Sequence, residues 1–113
     1  MSNPNWLVFQ LDELLSKVHP GEVRLHEFLR TPSLSCSVYH VPAGSKEMQS
    51  AHVEDELYLV LEGRGHLRVE SDEHRIEKGT LLYVRADSEH TFFEVEEDLT
   101  VLAFFGSVPP GRG

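Results

Sequence analysis

Histidine and carboxylate side chains recur at even spacing in two segments of the chain. His52, Glu54 and Glu56 are two residues apart, so an extended segment places all three on one face. In a later segment, His90 and Glu94 are likewise separated by an even number of positions. Imidazole and carboxylate groups that meet inside a fold bind a metal, pair with one another or face water. These two segments are the first candidates for any chemistry that the chain performs.

The sequence around these segments alternates between apolar and polar residues with period two. From residue 23 onward, short runs rich in Val, Leu, Tyr and Phe are separated by turn residues at intervals of roughly ten residues, which is typical of an all-β barrel or sandwich. The clusters at 63–65 and 96–98 are predicted to be turns. We predict seven strands: Val23–Arg30, Leu34–Val41, Glu56–Glu62, His66–Glu70, Leu81–Val84, His90–Glu94 and Leu99–Phe105.

One short helix is predicted before the β-rich region. Apolar residues at helical spacing indicate a helix over Leu11–Val18, which ends before Pro20. The chain therefore divides into an N-terminal arm with this helix at 1–22, a β domain at 23–106 and a C-terminal tail at 107–113. The apolar residues of the arm need a surface to cover, which leads us to expect a homodimer, although packing on the chain's own β domain would also cover them.

Charge and composition exclude several classes of protein. The 113 residues contain 19 Asp and Glu against 10 Lys and Arg, a formal net charge of −9, which disfavours binding to nucleic acid or to an anionic membrane. No apolar run approaches the roughly 20 residues of a membrane-spanning helix, and the acidic N-terminal region does not resemble a secretory signal, so we expect a cytoplasmic protein. The single cysteine, Cys36, excludes an intramolecular disulfide framework.

The spacing of glycine, histidine and glutamate resembles the first motif of the cupins, usually written G(x)5HxH(x)3-4E(x)6G. Gly44, His52, Glu56 and Gly63 occupy its places, and Ser50 replaces the first histidine. The stretch from His52 to Gly63 is similar to that of small single-domain cupins. The second motif, G(x)5PxG(x)2H(x)3N, follows after fifteen residues at 64–78.

The second motif is only partly retained. Gly79 and His90 fit its pattern, whereas Arg85, Asp87 and Glu94 stand where it has other residues. The resemblance to cupins covers roughly residues 38–105. It implies a double-stranded β-helix, a jelly-roll barrel, preceded here by the short N-terminal helix.

The resemblance also implies a metal centre. In cupins, two histidines and the glutamate of the first motif, with the histidine of the second, coordinate one divalent metal, and His52, Glu56 and His90 match three of these four ligands. Two imidazoles and one carboxylate accept Fe, Mn, Ni or Zn and leave coordination positions open for water or a small-molecule substrate. The resemblance thus implies a metal-dependent enzyme, with dioxygenase-like chemistry favoured over an isomerase or a lyase. Glu94 and Tyr58 are the nearest candidates for proton transfer or substrate orientation.

Two alternatives stay open. The replacement at Ser50 would suit a degenerate cupin in which His52 pairs with Glu56 without metal, and such a protein would bind a small ligand for sensing or sequestration. Glu54 could replace Glu56 as a ligand, but that register places Tyr58 where the motif has its glutamate. We therefore rank Glu54 below Glu56 and interpret it as an exposed turn residue.

Overall fold

The structure, a computed structural model, describes residues 5–17, 23–45 and 53–106, together with the backbone of residues 48–50. Over these residues the chain forms a five-residue helix followed by seven antiparallel strands, which confirms the prediction of an all-β fold with a short N-terminal helix. The elements are α1 (Leu11–Leu15), β1 (Arg24–Arg30), β2 (Leu34–Val41), β3 (Met48–Ser50), β4 (Asp55–Val69), β5 (Asp72–Glu77), β6 (Leu81–Val84) and β7 (His90–Gly106).

Two long strands, β4 and β7, pair with each other and run through both halves of the barrel. The first part of β4 lies beside β6 and the last part of β7, which in turn pairs with β2 and, beyond it, β1. The last part of β4 lies between β5 and the first part of β7, and that part of β7 also pairs with β3. The fold is therefore the double-stranded β-helix that the motif spacing implies.

The predicted turns at 63–65 and 96–98 are wrong, because both segments lie inside these long strands. Arg64 pairs with Glu97 in the sheet, and the register between the strands shifts at several points around this pair. The Arg64 Nε donates to Glu96 Oε1 at 3.0 Å. Taken alone, the glycine cluster and the acidic run each resemble a turn. In the fold they face each other across two continuous strands, and both strands bend there.

Other boundaries differ from the predictions in smaller ways. Strands β2 and β6 have the predicted limits, whereas β3 and β5 were not predicted. The helix ends at Leu15 rather than continuing to Val18, and residues 18–22 lie outside the described residues.

Strand alternation divides the side chains into an inner and an outer set. A contiguous apolar core on the inner face joins the two halves of the barrel, because it includes Val60, Leu99 and Val101 from one half and Leu67 and Phe92 from the other. Register partners share a face across neighbouring strands. One row of inner-face partners follows the order Arg30, Ser35, Phe105, Glu56 and Val84, and the next row follows Glu27, Ser37, Ala103, Tyr58 and Leu82.

The described part of the N-terminal arm packs on the outer face of its own sheet. The rings of Phe9 and Phe28 meet edge to face with their centroids 5.0 Å apart, and Leu14 is buried. Trp6 remains 75% exposed. Within the described ranges, no helix has the length and apolar character needed to cross a membrane.

We expect the substitution Gly63→Ala to destabilise the fold strongly. Gly63 has φ +89°, and an added Cβ would overlap the backbone carbonyl of Asp98 on the facing strand. A residue with a side chain in this conformation costs about 1–3 kcal/mol before the overlap is counted. Urea denaturation should therefore show a loss of at least about 2 kcal/mol in the free energy of unfolding.

Gly106→Ala is the matched control for this substitution. A Cβ at position 106 meets no heavy atom within 4 Å, so the expected change lies within about 0.5 kcal/mol. Equal stability of the two variants would contradict the close approach of β4 and β7 at Gly63.

Candidate functional site

A carboxylate and an imidazole meet inside the barrel. Glu56 lies near the start of β4 and His90 at the start of β7, and these two residues are not register partners. The Glu56 Oε2 and the His90 Nε2 are nevertheless 3.0 Å apart, and the two side chains are 1% and 3% exposed. The closure of the barrel therefore brings together two of the three predicted metal ligands.

A backbone carbonyl fixes the orientation of the imidazole. The His90 Nδ1 lies 3.0 Å from the carbonyl oxygen of Ser88, and a carbonyl can only accept, so Nδ1 carries the hydrogen. In the neutral ring, Nε2 then carries a lone pair that faces the carboxylate oxygen. Two acceptors at 3.0 Å repel each other unless a proton or another cation lies with them.

Tyr58 completes the described cluster. Its hydroxyl donates to Glu56 Oε2 at 2.8 Å and lies 3.1 Å from His90 Nε2. Burial, the charge of Glu56 and this hydrogen bond all raise the pKa of the Tyr58 phenol far above its usual range. Tyr58 is therefore a neutral donor that orients the carboxylate.

The environment of His90 favours its protonated form. Burial alone would lower the pKa of His90, but the hydrogen bond to Glu56, the hydrogen bond to the Ser88 carbonyl and the charge of Glu56 together raise it above its ordinary value. In the absence of another cation, a proton is thus the group that relieves the repulsion between the two acceptors.

The other predicted ligand positions are placed as follows. His52 lies outside the described residues, and among the residues that are described no third His, Cys, Asp or Glu joins Glu56 and His90 in a group that could hold a metal. The backbone of Ser50, which replaces the first histidine of the motif, is the register partner of His90.

Glu94 does not lie with the buried pair. Its φ of +43° interrupts the alternation of β7, so that its side chain is 74% exposed and its Oε2 lies 3.9 Å from the Nδ1 of His66. The even spacing from His90 predicted that Glu94 shares the inner face with His90, and this prediction is wrong.

A cleft on the inner face is lined in part by Phe105, the register partner of Glu56, but not by Glu56 or His90. It has a volume of about 210 Å³ and is lined by Leu25, Glu27, Arg30, Ser35, Ser37, Glu54 and Phe105. Glu54, interpreted from the sequence as an exposed turn residue, lies in a bend and is half-buried on the wall of this cleft.

Sequence reasoning missed two kinds of residue, one that contacts His90 and one that lines the cleft. Ser88 acts through its backbone carbonyl, for which no side-chain signal exists in the sequence. Ser35 and Ser37 interrupt the apolar character of β2 at even spacing, and two polar residues on a strand that is otherwise apolar could have indicated a cavity.

A barrel of this topology, with a buried carboxylate and imidazole on its inner face, defines the cupin class. Residues 37–105 match the sequence profile of the family described as Cupin domain. The chain therefore belongs to the cupin domain family.

Known proteins extend this similarity. An uncharacterised protein of Streptomyces coelicolor is 34% identical over 102 residues, which cover 90% of this chain and 95% of that protein. A solved structure from Thermus thermophilus is similar in fold with a TM-score of 0.75, 19% identity and coverage of 90% of this chain and 98% of that one. The Fe(II) form of HppE, solved with an alternative substrate, has a TM-score of 0.65 and 22% identity over 72% of this chain and 48% of that one.

We expect His90 to titrate above the ordinary histidine pKa of about 6.5 in chelator-treated protein. Since the folded-state pKa is raised, protonation of His90 stabilises the fold. This contribution is complete below the unfolded-state pKa and is lost as the pH rises through the folded-state pKa. Histidine NMR resonances followed against pH measure the pKa, and urea denaturation across the same range measures the loss.

The substitution Glu56→Gln should lower the pKa of His90, because it removes the negative charge that favours the imidazolium and leaves only a neutral amide oxygen as acceptor. The resonances of His74, which lies on exposed β5, should not respond to this substitution. A His90 pKa at or below about 6.5 in the unsubstituted protein would contradict the prediction.

Proposed function

We propose that this cupin binds a single divalent metal ion through His52, Glu56 and His90 and acts on a small molecule as a metal-dependent, dioxygenase-like enzyme. The observation that carries the proposal is the 3.0 Å contact between Glu56 Oε2 and His90 Nε2 inside the barrel. These are two acceptors that need a cation, and a divalent metal can replace the proton there.

The donor set fits such a metal. A buried carboxylate and an imidazole with a fixed tautomer are ligands for Fe, Mn, Ni and Zn, and the Ser88 carbonyl supplies the second contact that metal-binding histidines typically make. A metal bound here would act as a Lewis acid and leave coordination positions for water or substrate. Glu56 and His90 would hold it, and Tyr58, whose phenol stays neutral, would orient Glu56 through the one hydrogen bond that it donates.

The alternative function is a metal-free cupin that binds a small ligand for sensing or sequestration. Two observations favour it: serine stands at the position of the first motif histidine, and Glu56, Tyr58 and His90 already form mutual hydrogen bonds. In this case the buried pair keeps its proton and serves as part of the wall of a ligand site.

Metal analysis tests the proposal directly. We expect protein incubated with Fe, Mn, Ni or Zn and then desalted to retain about one ion per chain, and His90→Ala or Glu56→Gln to reduce retention at least tenfold, because each removes a ligand. His74→Ala on exposed β5 is the matched histidine control and should retain the metal. Ser50→His should tighten retention, because position 50 is opposite His90 in the sheet.

Two results would distinguish the candidate functions. Protein that stays free of all four metals contradicts the metal centre and favours the sensing or sequestering cupin. Metal retention without oxygen uptake on candidate diketones, flavonols and thiols leaves the metal centre intact and contradicts the dioxygenase-like assignment for those substrates.

We also propose that the chain forms a homodimer through the outer face of its sheet. Cys36, Phe104, Leu57 and Tyr83 form one row of register partners on this face. The arm lies over the Cys36 end, where Trp6 lines a groove with Phe104. The other end stays open, with Tyr83 63% exposed. A second copy would cover this apolar half at roughly 25 cal/mol per Å² of buried apolar area.

Sedimentation equilibrium at micromolar concentration tests the dimer. We expect twice the chain mass of 12.8 kDa, and Tyr83→Asp should shift the equilibrium at least tenfold towards the monomer, because it places a charge in the interface. His74→Asp introduces the same charge on β5 and should leave the dimer intact. A monomeric unsubstituted protein would contradict the proposal.

A further inference from the structure

The backbone before His90 decides which ring nitrogen of this residue is free. The Ser88 carbonyl keeps the hydrogen of the neutral ring on Nδ1, which leaves Nε2 bare towards Glu56. If that carbonyl moved away, the ring would gain more by carrying its hydrogen on Nε2, because a hydrogen bond to a carboxylate is roughly twice as strong as one to a neutral acceptor. A nitrogen that carries a hydrogen cannot bind a metal. The proposed metal centre therefore depends on where the Ser88 carbonyl lies.

The turn at residues 85–88 sets the position of this carbonyl. The Ser88 N–H donates to the carbonyl of Arg85 at 3.2 Å, which is at the long end of the range for such hydrogen bonds. Asp87 has a positive φ of +64°. A residue other than glycine keeps this conformation only where the surrounding structure enforces it. Contacts from outside the turn must therefore hold it.

Hydrogen bonds from β4 and from the β4–β5 turn hold this segment. The Ala86 N–H donates to the Oδ1 of Asp55 at 2.9 Å, and the Glu70 N–H donates to the carbonyl of Glu89 at 2.8 Å. The bond to Asp55 is made by a side chain, so a substitution can remove it and leave the backbone hydrogen bonds in place. An ionised carboxylate is also a strong acceptor.

Asp55 stands next to one candidate ligand and acts on the segment that precedes the other. It directly precedes Glu56 in β4, so the two side chains lie on opposite faces of the strand. Asp55 is exposed, whereas Glu56 is buried. Two adjacent residues thus reach His90 from opposite sides: Glu56 contacts its Nε2 from inside the barrel, and Asp55 holds from outside the turn whose carbonyl contacts its Nδ1.

We propose that Asp55 is a positioning residue that keeps the Nε2 of His90 free for a metal ion by holding the turn before His90. This inference rests on the proposed function, because it concerns the same metal centre. Without the Asp55 carboxylate, Ala86 loses its acceptor and the Ser88 carbonyl withdraws from Nδ1. The neutral ring then carries its hydrogen on Nε2 and donates it to Glu56, so that the lone pair needed by a metal is lost.

NMR of the ring nitrogens tests the inference in chelator-treated protein, at a pH at which His90 is neutral. The ¹⁵N chemical shifts distinguish the nitrogen that bears the hydrogen from the bare one. We expect the hydrogen on Nδ1 in the unsubstituted protein and mainly on Nε2 in Asp55→Ala. Asp55→Asn removes the charge but keeps an acceptor oxygen, so it should keep the hydrogen on Nδ1.

Metal titration measures the consequence for binding. With Zn as the probe, Asp55→Ala should weaken binding about three- to tenfold, less than the roughly 10–100-fold loss for groups that contact a metal-binding histidine directly. Asp55→Asn should bind Zn as the unsubstituted protein does. Asp12→Ala removes the same charge from the exposed face of α1 and is the matched control, which should change neither measurement.

A thermal melt checks that each variant is folded. If Asp55→Ala does not fold, Asp55→Ser takes its place, because the serine hydroxyl is one bond shorter than the carboxylate and does not reach the Ala86 N–H. The expected results for Asp55→Ser are the same as those for Asp55→Ala.

Three outcomes would overturn the inference. They are a hydrogen on Nε2 in the unsubstituted protein, ring ¹⁵N shifts that Asp55→Ala leaves unchanged, and equal losses of Zn affinity in Asp55→Ala and Asp55→Asn, which would assign the effect to the charge. The ring nitrogens are measured without metal. Protein that retains no metal therefore contradicts the metal centre alone, and metal binding that Asp55→Ala leaves unchanged contradicts this inference alone.

Discussion

The contact between Glu56 and His90 is the constraint on which the interior of this barrel depends. A carboxylate almost fully removed from water is costly unless hydrogen bonds or an opposite charge compensate it. Tyr58 supplies a neutral donor and His90 supplies an imidazole whose other nitrogen is held by Ser88. The remaining requirement is a positive charge at Nε2, which a proton or a metal ion can meet, so that the two compete for one lone pair.

The two bent strands make this contact geometrically possible. Glu56 and His90 belong to opposite halves of the barrel, and they meet because β4 and β7 each run through both halves. The bend needs a close approach of the two backbones at Gly63, where no side chain fits against Asp98. The opposite charges of Arg64 and Glu97 then lie together in the sheet. Gly63 and the acidic run therefore help to position Glu56 and His90 through the bend of the two strands.

The sequence predicted the elements whose signals are local and missed those that depend on pairing. The motif spacing identified Glu56 and His90, and alternation located β2 and β6, because a half-buried strand shows its period in its own residues. The turn predictions at 63–65 and 96–98 were wrong because glycine and acidic residues are typical both of a turn and of a bulged strand. Glu94 was misplaced because a positive φ shifts parity by one face, and no single-residue signal reveals that shift.

The inner face of the barrel is divided between central strands, which carry the buried cluster, and an edge strand, which carries charged residues of the cleft. Glu56, Tyr58 and His90 lie on β4 and β7, each of which has paired strands on both sides, so their positions are fixed by the sheet. Glu27 and Arg30 lie on β1 at the edge of the sheet, and Glu54 lies in the bend before β4. Substitutions at the edge and in the bend alter the charge of the cleft at little cost to the fold, because few contacts depend on them. The buried pair, and with it the requirement for a cation, is therefore held by the centre of the sheet, whereas the charge of the cleft is set at the edge of the sheet and in the bend.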